Sequence, residues 1–118
     1  MRSVHVSSPA KLFLLGEHAV VYDGRAIVTA VDARLHVTIQ PEESALPAIT
    51  IDAPDIGLEN WHTPLSEIIA KTRFEGESRF IEGCLATFHQ HYPLQHSLHI
   101  TTRSTFDKTL GLGSSSAT

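Results

Sequence analysis

The chain has 118 residues, 42% hydrophobic and 19% charged, an ordinary balance for a single folded domain and not for a disordered segment. Thirteen acidic residues against nine basic ones give a net charge of −4, and the basic residues form no run, which excludes a broad nucleic-acid surface. The lone Cys84 cannot form an internal disulfide, and the apolar stretch Leu12 to Leu15 is too short for a signal or membrane segment, so a cytoplasmic protein that meets neither nucleic acid nor membrane is expected.

In chain order, Val4-His5-Val6-Ser7 alternates apolar and polar residues, the pattern of a half-buried strand. Ser8-Pro9 should interrupt it, because proline offers no N–H to a ladder. Lys11 to Leu15 reads as a second, buried strand, ended by Gly16-Glu17-His18. Ala19 to Tyr22 leads to the turn dipeptide Asp23-Gly24. Ala26 to Val31 suits a buried strand, and Arg34 to Gln40 alternates as a strand with one wet face. Pro41 to Pro47 is a polar connection, and Ile49-Thr50-Ile51 is a short strand, a candidate hairpin partner of the preceding one.

Pro54, Gly57 and Asn60 mark Asp52 to Thr63 as loop, and a helix is predicted from Pro64, with Thr63 as its cap. The strongest helical pattern is Glu77 to His91, where Phe80, Ile81, Cys84, Leu85 and Phe88 make one apolar face and Glu77 or Ser78 starts the helix. Pro93 stops it. Ser97 to Thr101 returns to strand alternation, and Arg103 to Leu110 reads as polar loop. Early strands followed by helices predict an α+β fold. His89, His91, His96 and His99 crowd together, but spacings of two on a helix and three on a strand do not converge on one ion, so a solvated helix end is expected.

Two segments carry chemistry. Gly111-Leu112-Gly113-Ser114-Ser115-Ser116-Ala117 places two glycines before three hydroxyls, a composition suited to bringing backbone N–H groups and a helix start against an anion. It is neither the G-x-x-x-x-G-K-[ST] loop nor G-x-G-x-x-G, and taken alone it is equally a flexible linker. The second segment, Ser8-Pro9-Ala10-Lys11 through Gly16-Glu17-His18-Ala19-Val20-Val21, puts a cation on a strand and a Gly-Glu-His corner at its far end. A buried lysine costs desolvation unless it meets an anion.

Together, Pro9-Ala10-Lys11, Gly16-Glu17-His18-Ala19-Val20-Val21 and the glycine-serine run resemble the first two motifs of the GHMP small-molecule kinases, and His18 to Tyr22 is similar to the pattern of the mevalonate kinases among them. The resemblance is strong over residues 8–34 and from Leu110 onward, and weak over 41–95. It implies the N-terminal part of a GHMP-kinase fold (ribosomal protein S5 domain 2-like), with mixed and antiparallel strands, helices on one face, and a single truncated domain over residues 1–118. It also implies phosphoryl transfer from ATP, with Mg²⁺, to the hydroxyl of a small molecule, mevalonate, which rests on positioning and charge neutralisation.

By this resemblance Gly111, Leu112, Gly113, Ser114, Ser115, Ser116 and Ala117 would wrap the ATP phosphates, with Ser115 supplying the metal-binding hydroxyl. Lys11 would sit at the reacting alcohol, and Glu17, His18 and Ser8 would shape the acceptor pocket. A homodimer is left open for the full-length protein. Two departures stand out: Thr105 to Leu110 lacks the proline that often precedes this loop, and the family's catalytic aspartate and third motif come from later segments, to which neither Asp32 nor Asp107 corresponds. The expectation is therefore an N-terminal piece with little activity alone and uncovered apolar faces. Another GHMP kinase, for phosphomevalonate or a sugar such as galactose, and a non-catalytic nucleotide-binding module are the alternatives.

Overall fold

A computed structural model describes residues 2–16 and 18–105. They fall into two compact units. One comprises Met1–Val6 and His36–Arg103; the other comprises Ser7–Leu35 with, after Arg103, the described residues Ser104 and Thr105. Among the described residues five strands, β1 (Val4–Leu15), β2 (Ile27–Glu42), β3 (Ala48–Ala53), β4 (Leu58–Pro64) and β5 (Ser97–Ser104), form one sheet in the order β1-β2-β5-β3-β4. Two helices, α1 (Leu65–Ala70) and α2 (Arg79–His91), lie between β4 and β5 in sequence.

In the first unit, β3 pairs antiparallel with β4, Ile49 opposite Thr63 and Ile51 opposite Trp61, and parallel with β5, Ile51 opposite Ile100. A parallel pair needs a long crossover, and β4, α1 and α2 provide it. Period-two alternation explains the core: Ile49, Ile51 and Ala53 are fully buried while Thr50 and Asp52 between them turn to the opposite face. Leu65 and Ile68 of α1, Ile81 and Leu85 of α2, and Ile100 of β5 close over the three β3 residues. The predicted α+β class, with mixed strands and helices on one face, is what the chain adopts.

Several local expectations are corrected. Asp52 to Thr63 is not loop: Pro54–Ile56 makes one 3₁₀ turn, Gly57 follows at φ +78°, and Leu58 starts β4. The loop residues are those of a hairpin connection, and Leu58 and Thr63 are held by burial against β3. β3 neighbours β4 and β5, not β2. Thr63 does not cap α1. Pro64 holds that position, and the Thr63 hydroxyl donates to Glu67 Oε2 at 2.9 Å. Helix α2 starts after Ser78 as expected, but only Ile81 and Leu85 of its apolar face are buried; Phe80, Cys84 and Phe88 are exposed.

Glu82, on the buried side of α2, is fully enclosed. It accepts a hydrogen bond from Ser78 Oγ at 2.7 Å, and Lys71 Nζ pairs with its other oxygen. A carboxylate removed from water persists only with such partners. On β3, Asp52 accepts from the Asn60 backbone N–H at 2.8 Å and lies 2.6 Å from His99 Nε2. The Asn60 N–H first, then His99, hold the Asp52 carboxyl below its usual value of 3.8. Of the crowded histidines, His89 Nδ1 accepts from the Leu94 N–H, and His99 serves Asp52. Among the described residues no group of three or more His, Cys, Asp or Glu could hold a metal ion, and no helix is long and apolar enough to cross a membrane.

Candidate active site

The site residues that can be placed lie in the second unit. β1 runs unbroken through Pro9, against the expected interruption. β1 is an edge strand of the sheet, where a missing donor is tolerated. Nor is its second half a buried strand: Ala10 is 1% exposed, but Leu12, Leu14 and Leu15 are exposed, as are Ile27 and Val28 at the start of β2. Lys11 is half-buried, and its ammonium rests 4.5 Å from the centroid of the Phe13 ring, two residues along the same face. Ser8 is three residues from Lys11, an odd spacing that sets the two on opposite faces of an unbroken strand. The strand alone therefore does not bring Ser8 and Lys11 to one point.

Beyond Leu15 the chain turns at Gly16, which adopts φ +86°. Glycine is required here for two independent reasons. The conformation is left-handed, and a Cβ would fall 2.2 Å from the Arg25 carbonyl oxygen and 2.8 Å from Ala26 Cα. The segment leading into β2 thus lies directly against the corner. The Val20 N–H donates to the Gly16 carbonyl at 3.1 Å, starting a 3₁₀ turn over Ala19–Tyr22 for which His18 is the N-terminal flanking residue. Asp23, left-handed at φ 66°, ends it, and the Gly24 N–H donates to the Ala19 carbonyl at 2.8 Å. Gly24 is confined too, though less than Gly16, since a Cβ there would meet the Ala19 oxygen at 2.6 Å. Lys11 thus lies in the strand that runs into the corner, and His18 just past it. Glu17, between Gly16 and His18, lies outside the described residues.

Gly111, Leu112, Gly113, Ser114, Ser115, Ser116 and Ala117, like Asp107, lie outside the described residues. Thr105, the last described residue, is held by Arg34. Its N–H donates to Thr105 Oγ1 at 2.8 Å, its carbonyl accepts the Thr105 N–H at 2.9 Å, and its guanidinium donates to Ser7 Oγ at 3.1 Å. Sequence reasoning missed this clamp because it joins residues 71 positions apart. Asp32 is spent elsewhere: its side chain is 97% exposed and lies 3.5 Å from Arg34 Nε, a surface pair. The turn itself stays apolar, with Val20, Val21 and Tyr22 exposed at 48%, 75% and 85%. The end of β1 and the start of β2 are exposed and apolar as well.

No protein-family model matches the chain. Among curated proteins, a mevalonate kinase of Methanothermobacter thermautotrophicus is 36% identical over 111 residues, which is 94% of this chain and 31% of that protein. Among solved structures, the Methanococcus jannaschii mevalonate kinase superposes with a TM-score of 0.80 at 24% identity, over 98% of this chain and 37% of that one. A Lactococcus lactis galactokinase crystallised with galactose superposes with a TM-score of 0.75 at 17% identity, over 98% of this chain and 29% of its own. At these identities the two structures speak for the fold alone. The chain spans about a third of the length of the curated relatives it matches.

Proposed function

We propose that this chain, similar to the mevalonate kinases, is part of a GHMP small-molecule kinase and that the whole protein transfers the γ-phosphate of ATP to the hydroxyl of mevalonate. The 36% identity to a mevalonate kinase over almost the whole chain carries the reading. Residues 1–118 would form the N-terminal kinase domain, containing the first half of the catalytic cleft.

The proposed roles follow from chemistry. The Lys11 ammonium faces the acceptor oxygen, where negative charge grows as the new bond forms, and a fixed cation lowers the energy of that state. His18, with Glu17, lines the acceptor pocket and orients the hydroxyl. The Gly16 corner supports these roles because its close packing on Arg25 and Ala26 fixes the backbone from which His18 departs. Gly111 to Ala117 take the phosphates, and the Ser115 hydroxyl is a hard oxygen donor of the kind Mg²⁺ accepts. When bound, that ion supplies neutralising charge to the phosphates. A cytoplasmic location and action without nucleic acid or membrane are part of the same proposal.

The test is ADP release by the whole protein offered mevalonate, phosphomevalonate or galactose. Mevalonate-dependent turnover is expected, with kcat reduced about 10²–10³-fold in Lys11→Met. Turnover with galactose or phosphomevalonate alone would move the protein to another GHMP kinase. ATP binding without turnover of any acceptor would make it a nucleotide-binding module.

A further inference from the structure

The sheet face turned away from the helices carries an arrangement that phosphoryl transfer does not use. Val37 and Ile39 of β2 pack against the core of the first unit, so His36 and Thr38, which alternate with them, face outward. His5 of the neighbouring strand β1 lies over both. Its Nε2 is 3.3 Å from His36 Nδ1, and its Nδ1 is 3.0 Å from Thr38 Oγ1. With ring centroids 5.4 Å apart and planes 25° apart, the two imidazoles meet through these nitrogens and not face to face.

We propose that His5 and His36 form a bidentate site for a borderline divalent cation, Zn²⁺, Cu²⁺ or Ni²⁺. Three features carry the assignment. First, the bite fits: two nitrogens each about 2.0–2.1 Å from a tetrahedral ion are about 3.3–3.4 Å apart, and the observed separation is 3.3 Å. Second, the outer shell is present. In the binding tautomer the His5 Nδ1–H donates to Thr38 Oγ1, which fixes the ring and leaves Nε2 bare; the hydroxyl takes the place that a carboxylate, carbonyl or water holds beside most metal-bound histidines. The proton of His36 then resides on its own Nε2. Third, imidazole nitrogen selects this class of ion over Mg²⁺, so the site is chemically separate from any metal that accompanies ATP.

The described residues provide no third ligating side chain, so water completes the coordination. That makes the ion exchangeable rather than permanently enclosed. Its effect is mechanical: it bridges β1, an edge strand, to β2 by metal–ligand bonds in place of one hydrogen bond.

The experiment titrates the 118-residue chain with Zn²⁺ and, separately, with Cu²⁺ followed by electron paramagnetic resonance. One equivalent should bind, with nitrogen hyperfine coupling from two imidazoles. His5→Asn and His36→Asn should each weaken binding at least about tenfold, Thr38→Val about 10–100-fold through the lost outer-shell bond, and the exposed His91→Asn not at all. Mg²⁺ in excess should not compete. Unchanged affinity in His36→Asn, equal loss in His91→Asn, or no saturable binding would overturn the site. A wild-type Cu²⁺ spectrum with a single nitrogen or oxygen ligands only would overturn it even if the histidine variants fail to fold.

Discussion

Replacing Gly16 by alanine separates two costs that usually come together. The first is conformational: a residue with a Cβ at φ +86° loses about 1–2 kcal/mol. The second is collision. The new Cβ falls 2.2 Å from the Arg25 oxygen, whereas a carbon and a carbonyl oxygen settle at about 3.3 Å or more, so one backbone segment must move by about 1 Å. Overpacking of this kind costs about 1–3 kcal/mol, giving a total of about 2–5 kcal/mol for Gly16→Ala. Gly57 and Gly76 are internal controls. They adopt φ +78° and +79°, but nothing lies within 4 Å of a Cβ at either position, so their alanine variants carry the first cost alone, about 1–2 kcal/mol. Urea denaturation of the four proteins, read at constant m, measures the difference. A second readout concerns function: a displacement of about 1 Å at groups that orient a reactant costs on the order of 10²-fold in rate, so kcat/KM of the whole protein should fall by about that factor in Gly16→Ala and stay unchanged in Gly57→Ala. Equal stability losses at Gly16 and Gly57 would refute the packing argument. An intact rate in a destabilised Gly16→Ala would refute the positioning argument while leaving the packing argument standing.

Two further predictions concern the first unit. Lys71→Met leaves Glu82 enclosed with only Ser78 as partner. Breaking a buried pair costs about 3–5 kcal/mol, and because Lys71 is itself 39% exposed the expected loss falls below that range, about 2–3 kcal/mol. In Lys71→Met/Glu82→Gln, where the unpaired charge is gone, most of that loss should return. A double variant as unstable as Lys71→Met in thermal melts would show that the charge is not the cause. The Asp52 clamp predicts a pH effect of definite sign. Its carboxyl lies below the usual 3.8 when folded, so the unfolded chain takes up the proton first as pH falls. The stabilisation is complete above the unfolded value and is lost as the pH falls through the folded one. Asp52→Asn should therefore be less stable than the parent at pH 7, with the gap narrowing below about pH 4; a gap independent of pH between 7 and 3 would contradict the assignment.

What could be read from the sequence follows the range of the interactions involved. The alternation of Ile49, Ile51 and Ala53 and the 3.6-residue spacing of Ile81 and Leu85 are local and were sufficient for β3, α2 and the α+β class. β4 was missed because Pro54, Gly57 and Asn60 are turn residues whichever structure surrounds them. Only pairing with β3 determines that Leu58 to Pro64 is extended. Pro9 misled for the opposite reason, since the local rule against proline in strands lapses at a sheet edge. Phe80 and Phe88 share the spacing of the buried face of α2 and yet stand at 44% and 50% exposure, because periodicity shows which residues align and not how much of the stripe a neighbour covers. At the candidate site, Lys11, Gly16 and His18 were identifiable by resemblance, and the need for glycine at Gly16 by its turn. The Arg34–Thr105 clamp and the Glu82–Lys71 pair join residues that no local pattern links.

The strand order β1-β2-β5-β3-β4 also governs how the chain can be made. β2 and β3 are consecutive in sequence, yet the place between them belongs to β5, which begins at Ser97. As the polypeptide leaves the ribosome from its N-terminus, the β3–β4 hairpin can form early from near neighbours. The facing edges of β2 and β3 must wait, with unpaired N–H and C=O groups, until more than forty further residues have emerged after β3. At about 5–20 residues per second this is an interval of seconds, long on the scale of hairpin formation and long enough for an open edge to recruit another chain. Of the five described strands, the last to be synthesised is the one that lies between β2 and β3, so mutations that slow the docking of β5 should lower the yield of folded protein while leaving the stability of what does fold almost unchanged.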